Sequence, residues 1–157
     1  MVVLPHEGTT PMSNTASIAT SFTPDQSSGS VLNGALPLVG RVLIVALFLL
    51  SGLSKVSAPA ATIGYIQSAG LPMPALGFAL AALIELGGSI TLLLGYRTRL
   101  VAGIMALFTV ATAIAFHNAL SDQNQFIHFF KNISIAGGFL QIVAFGGGRY
   151  SIDGRRS

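Results

Sequence analysis

Apolar residues fall into four runs along the chain, each bounded by polar or turn-forming residues. The first is densest at VLIVALFLLSGL, Val42 to Leu53. The others are PALGFALAALIELGGSITLLL from Pro74 to Leu94, LVAGIMALFTVATAIAF from Leu100 to Phe116, and FIHFFKNISIAGGFLQIVAF from Phe126 to Phe145. A helix of about 20 apolar residues crosses the roughly 30 Å hydrocarbon layer of a bilayer. The pattern therefore predicts an all-α integral-membrane four-helix bundle, with spans over 36–56, 74–94, 100–117 and 126–145. Between the first two spans, Pro59 and Gly70 bracket ATIGYIQSA. Proline suits a first helical turn and glycine a helix end. A short interfacial helix is expected there, with Ile63 and Ile66 on one side and Tyr65 at headgroup depth.

The spans divide the chain into three parts. Residues 1–34 form a tail rich in Ser, Thr, Gly and Pro, residues 35–150 the transmembrane domain, and residues 151–157 a short cytoplasmic tail. The N-terminal tail lacks the apolar content to offset its ordering entropy, so it is expected to be disordered and dispensable for insertion. It has no basic start followed by an apolar run, as a secretory signal would, and no Lys or Arg precedes Arg41, as in a transit peptide.

Composition agrees with the pattern. Hydrophobic residues make up 52% of the chain and charged residues 8%, outside the range of soluble domains. The lipid bilayer is the first partner implied. The net charge of +3 reads as loop charge that sets orientation. No basic run is interleaved with aromatics, so nucleic acid is not a partner. The chain has no cysteine, which excludes disulfides, thiolate metal sites and thiol redox chemistry carried by the chain itself. Four spans put both termini on one side, together with Arg41, Arg97, Arg99, Arg149, Arg155 and Arg156; Lys55 and Lys131 lie on the other. The bias of basic residues predicts cytoplasmic termini.

Candidate chemistry comes from the few charges inside the spans. Glu85 lies near the midpoint of the second span, beside Ala81, Ala82, Gly88 and Ser89. An acid at that depth needs protein or trapped water around it, and a partner. Arg41, Val45, Phe48, Gly52 and Lys55 share one face of the first span. Their two cations are either snorkelling anchors or heads turned inward to a buried acid. Lys131 and Asn132 are available on the fourth span. The axial offset of about 9 Å between Glu85 and Lys131 is bridgeable, so these two are the expected ion pair and the catalytic candidates. Arg41, Lys55, Glu85, Lys131 and Asn132 together are the cofactor-binding candidates. Three readings stay open: an ion pair that fixes helix register, a polar pocket for a quinone-like headgroup or a proton, and a neutral, protonated Glu85. Lys131, Ser134, Gly138 and Gln141 also form a polar stripe, which belongs inside a bundle or against a partner. Thr109 and Thr112 are expected to bond back to their own helix. No metal site is expected. His117 and His128 flank Asp122, but a metal would need further ligands, and histidines near a headgroup layer read as interfacial.

Five pieces resemble the DoxX family of small bacterial inner-membrane proteins: Arg41 with Gly52-Leu53-Ser54-Lys55; Gly70-Leu71-Pro72; Glu85-Leu86-Gly87-Gly88 followed by Leu94-Gly95 and Arg99; Phe130-Lys131-Asn132 with Gly137-Gly138; and Gly146-Gly147-Gly148 followed by Ser151-Ile152-Asp153. They run in order from about Leu38 to Asp153. The resemblance implies a four-helix bundle in the bacterial inner membrane and little assigned chemistry. Some relatives look like subunits of quinone-linked sulfur oxidation, and others associate with redox-defence enzymes. Thiol–quinone chemistry, known for a similar bundle, does not carry over to a chain without cysteine.

The expected function is an accessory or docking subunit for redox or stress-related membrane chemistry, holding a quinone or a partner of a membrane redox complex. The alternatives are a quinone-reducing oxidoreductase subunit and a small-solute transporter. Four spans make a narrow path, no inverted repeat is visible, and the second span reads as unbroken, all of which count against transport. Topology has a direct test. Single cysteines replacing Ser27, Ser68 and Ser151 should label from the periplasm only at position 68; periplasmic labelling at 27 or 151 would reverse the orientation.

Overall fold

The computed structural model describes residues 26–155, with side chains from residue 34 onward. Five helices follow in order: α1 (Gln26–Ser57), α2 (Pro59–Ser68), α3 (Pro74–Leu94), α4 (Thr98–Phe116) and α5 (Gln123–Phe145), then a 3-10 turn at Asp153–Arg155. No strand occurs among the described residues. Four helices are long and apolar enough to span a membrane: Gly34–Ser57, Pro74–Leu94, Thr98–Phe116 and Gln123–Phe145. The fold class and the four spans are as the hydrophobic pattern predicts. α1 begins earlier than expected, taking Gln26 to Gly34 from the predicted tail. Residues 1–25 of that tail lie outside the described residues, as does Arg156.

Helix boundaries follow local chemistry. Pro59 and Pro74 occupy first turns, where a missing N–H costs nothing. α3 stops at Gly95 (φ 75°) and α5 at Gly146 (φ 78°). Asp122 caps α5 by accepting the N–H of Gln125 at 2.9 Å. α4 is capped from far along the chain. Asp153 accepts the N–H groups of Arg97 and Thr98, at 2.9 and 2.7 Å, and the Thr98 hydroxyl at 2.8 Å.

That cap belongs to a polar lock at one end of the bundle. Arg41 is 1% exposed. Its guanidinium donates to the carbonyls of Leu92 (3.0 Å) and Leu93 (3.3 Å) and to that of Tyr150. The last carbonyls of a helix have no intrahelical partner and carry the negative end of its dipole, so a cation there is doubly favourable. The C-terminal segment runs beside them: Ile152 N–H donates to Leu94 O (3.3 Å) and Asp153 N–H to Gly95 O (2.9 Å). Only glycine fits at 95. Beyond the positive φ, a Cβ there would lie 2.3 Å from Ser151 Cβ and 2.7 Å from Arg41 Nη1. Ser151 is buried, with its hydroxyl donating to Gly148 O at 2.6 Å and accepting from Gly154 N–H at 2.9 Å. A cysteine at 151 would thus be shielded, and exposed Arg155 is the better reporter position for that tail.

Next to the lock lies the core, where Val45, Leu92, Met105 and Phe139 from four helices are at most 1% exposed. Phe48 and Phe139 meet with ring centroids 5.3 Å apart. Ala102, Ala106, Ala113 and Ala136 are buried and let α4 and α5, the most extensively packed pair, come close.

Replacing Asp153 with Ala should lower stability by about 1–2 kcal/mol, as for loss of a good N-cap. Asp153→Asn, which keeps one acceptor oxygen, should fall between the two. Gly95→Ala should be worse than either. Thermal unfolding in mild detergent reads all three.

Candidate functional site

α1 and α3 approach closely at Gly52. A Cβ on that residue would lie 2.7 Å from Leu86 Cδ2 and 3.2 Å from Glu85 Cβ. Three residues further along the same face of α1 comes Lys55, which this contact brings level with Glu85. Lys55 Nζ donates to both Glu85 oxygens at 2.9 Å and to Ser51 Oγ at 2.8 Å. The Glu85 side chain is 6% exposed and that of Lys55 26%.

The partner of Glu85 is therefore Lys55, not Lys131. The expectation of a Glu85–Lys131 pair rested on depth along two helices, but lateral distance decides which cation arrives, and Gly52 places α1 against the acid. Lys131 is exposed, with Nζ 2.9 Å from His128 Nδ1 on its own helix. Arg41 is also separate from this pair, because the backbone carbonyls of the lock occupy it. Of the two readings of the α1 cations, both heads turn inward, and only Lys55 turns to the acid.

Glu85 sits within a π-helical turn, Leu83–Gly88, between regular α-helical segments Pro74–Ala82 and Ser89–Leu94. The second span is continuous but not regular at its centre, which corrects the expectation of an unbroken helix. A π turn inserts one residue into the helical register and is frequent where a side chain serves a site.

Lys55 and Glu85 face a cavity of about 580 Å³ lined by residues of all five helices. Leu47, Phe48, Ile66, Leu80, Ile84, Phe108, Phe116 and Ile135 supply apolar walls. Ser51, Thr109, Thr112, His117, Lys131 and Asn132 add polar groups. Thr109 and Thr112 donate to Met105 O (2.6 Å) and Thr109 O (2.9 Å), the back-bonding expected, which leaves their oxygens able to accept. The Asn132 amide, half-buried, has no hydrogen-bond partner among the described residues. α2 covers one side: Ile66 packs over Gly77, and Tyr65 stacks on Phe116 at 5.3 Å. His117 and His128 stack at 5.1 Å, with His117 Nδ1 2.9 Å from Gln125 Oε1. Among the described residues no three His, Asp or Glu side chains converge as a metal site would require.

Four of the five candidate residues, Lys55, Glu85, Lys131 and Asn132, thus border one cavity, and Arg41 does not. Ser51, His117 and the Tyr65–Phe116 stack were missed as members. Ser51 was accessible in principle, since it lies one turn from Lys55 on the same helix.

A cavity of this size is within the range that takes a small organic molecule. Together with the four spans, it defines a helical membrane protein with a charge pair facing an intramembrane pocket. The DoxX family model matches residues 36–118, from α1 through α4, and the chain belongs to this family. It is 39% identical over 118 residues to the inner membrane protein YqjF of Escherichia coli K12, covering 74% of this chain and 88% of YqjF. It is 34% identical over 123 residues to the inner membrane protein YphA of the same organism, covering 75% of this chain and 88% of YphA. The protein is accordingly an inner-membrane protein. No solved structure matches the chain.

Coupling of the pair can be measured. Glu85→Leu or Lys55→Leu alone leaves a charge without its partner, and breaking such a pair costs about 3–5 kcal/mol when fully buried. The partial exposure of Lys55 favours the lower end of that range. The double Leu variant should recover most of the loss in detergent thermal stability. Additive single effects would show that the two residues are not coupled.

Proposed function

We propose that the protein holds a quinone-like ring in the α1–α5 cavity and serves as an accessory subunit to membrane redox chemistry. The observation that carries this reading is the polar equipment of a largely apolar cavity. On one wall a lysine is held beside a carboxylate, and on the other an amide has no partner among the described residues. A ring bearing carbonyl oxygens needs hydrogen-bond donors: Asn132 supplies one, and Lys55, whose three donors are engaged by Glu85 and Ser51, supplies a second by exchanging its bond to Ser51. Its apolar body needs walls such as Phe48, Ile84, Phe108 and Ile135. Glu85 holds Lys55 in orientation. The chain has no cysteine to carry thiol redox chemistry, and in this reading a partner protein supplies the electrons. In this reading the Arg41 end, with its arginines, faces the cytoplasm, and the cavity lies toward the periplasmic half.

Transport suits the geometry less well. Toward the Arg41 end the cavity meets the packed core of Val45, Leu92, Met105 and Phe139, and the polar lock lies beyond. A blind pocket favours retention over passage.

A short-chain quinone should raise the detergent melting temperature of the purified protein in a saturable way. Asn132→Leu and Lys55→Met should each weaken binding roughly 2- to 10-fold, the worth of one hydrogen bond. Extraction and mass spectrometry of the native protein should return a co-purified quinone. Absence of both stabilisation and co-purification would sink the reading.

A further inference from the structure

At the Arg41 end, beside the polar lock, lies a cavity of about 570 Å³ between the start of α4 and the turn that follows α5. Arg97, Arg99, Leu100, Phe145, Asp153 and the glycines of the 146–148 turn border it. Two spans end here, at Thr98 and Phe145, so the cavity sits where hydrocarbon gives way to headgroups.

Some of the polar groups around it are already engaged. Asp153 oxygens accept from the start of α4, and the Ser151 hydroxyl bridges Gly148 O and Gly154 N–H. The two arginines are not. Arg99 lies across the end of α5, its Nε 3.5 Å from the point that a Cβ on Gly146 would occupy. Arg41, in the same relation to the end of α3, donates to the carbonyls there. Arg99 donates to no carbonyl and pairs with no carboxylate among the described residues. Nor does the Arg97 guanidinium, whose neighbour is the Tyr96 ring at 6.0 Å. Gly147 is buried, and its N–H has no acceptor among the described residues. A buried N–H without a partner is rare and calls for an acceptor.

We propose that this cavity binds the phosphate of an anionic phospholipid. Phosphate oxygens are taken by guanidinium forks and by backbone N–H groups, and both donor types border the cavity unused. The rim identifies the source of the phosphate. Leu100 and Phe145 are 56% and 77% exposed and border the same cavity from neighbouring spans. Acyl chains descending along α4 and α5 from a headgroup at the arginines lie directly on these two side chains, whereas a free phosphate gains nothing from them. Charge selects among lipids. Phosphatidylglycerol carries one negative charge and no cation, while a choline or ethanolamine headgroup brings an ammonium beside two guanidiniums. Basic pockets between membrane helices at this depth suit anionic headgroups.

The test uses the full chain in non-ionic detergent, titrated with phosphatidylglycerol, with bound lipid read by native mass spectrometry. One saturable lipid per chain is expected. Arg97→Gln and Arg99→Gln should each weaken its binding about fivefold, the worth of one basic residue near an anionic surface. Arg99→Lys, which keeps the charge, should weaken it less than Arg99→Gln. Arg149→Gln removes the same charge close by in the chain but outside the cavity, and should leave binding unchanged. An equal loss with Arg149→Gln would mean diffuse attraction and overturn the site, as would the absence of saturable binding. Phosphatidylcholine binding as tightly as phosphatidylglycerol would overturn the selection by charge. Displacement of the lipid by an equal concentration of inorganic phosphate would overturn the lipid as occupant and assign the cavity to a free anion.

Discussion

Gly52 sets the geometry on which the interior depends. With no side chain there, α1 lies directly on the π turn of α3, and the lysine one turn further on reaches the carboxylate at 2.9 Å through both oxygens. An acid at mid-span is tolerable in hydrocarbon only with such a partner. Once the pair has formed, the register of α1 on α3 is fixed, because sliding by a turn would separate the charges and drive Gly52 off Leu86. Such a pair is not evidence of net stability, since desolvation offsets much of its attraction. Its consequence is positional: a charged lysine is held at the wall of a cavity that would otherwise be apolar.

The two halves of the bundle are built for different purposes. At the Arg41 end polar groups tie the backbone together: Arg41 Nη atoms on helix-end carbonyls, Asp153 on the N-terminus of α4, Ser151 within the tail turn. The backbone there is pinned by residues from opposite ends of the chain. At the Lys55 end the polar groups border empty space. Asn132 has no partner among the described residues, the threonine oxygens can still accept, and α2 covers the side through contacts such as Tyr65 on Phe116.

Membership of the DoxX family and residence in the inner membrane follow from similarity over most of the chain. The site does not follow from membership alone. It rests on where side chains converge, and that convergence differs from the arrangement expected from helix depths.

The amino-acid sequence by itself determined the spans, because hydrophobic length is a one-dimensional property that the bilayer reads directly. It also determined that Arg41, Val45, Phe48, Gly52 and Lys55 share a face and that Glu85 is recessed, since helical periodicity relates residues on one helix. It did not determine which cation meets Glu85. Depth along a helix is readable from residue number, but the lateral placement of helices depends on which surfaces pack. Gly52 against Leu86 and the alanine-lined seam between α4 and α5 decided that. Nor could residue order show that Asp153 would cap a helix beginning 55 positions earlier, or that along the polar stripe of α5 Gly138 would face Ile44 while Ser134 and Gln141 stay exposed. Both depend on tertiary contacts between segments far apart in the chain, and no local pattern encodes them.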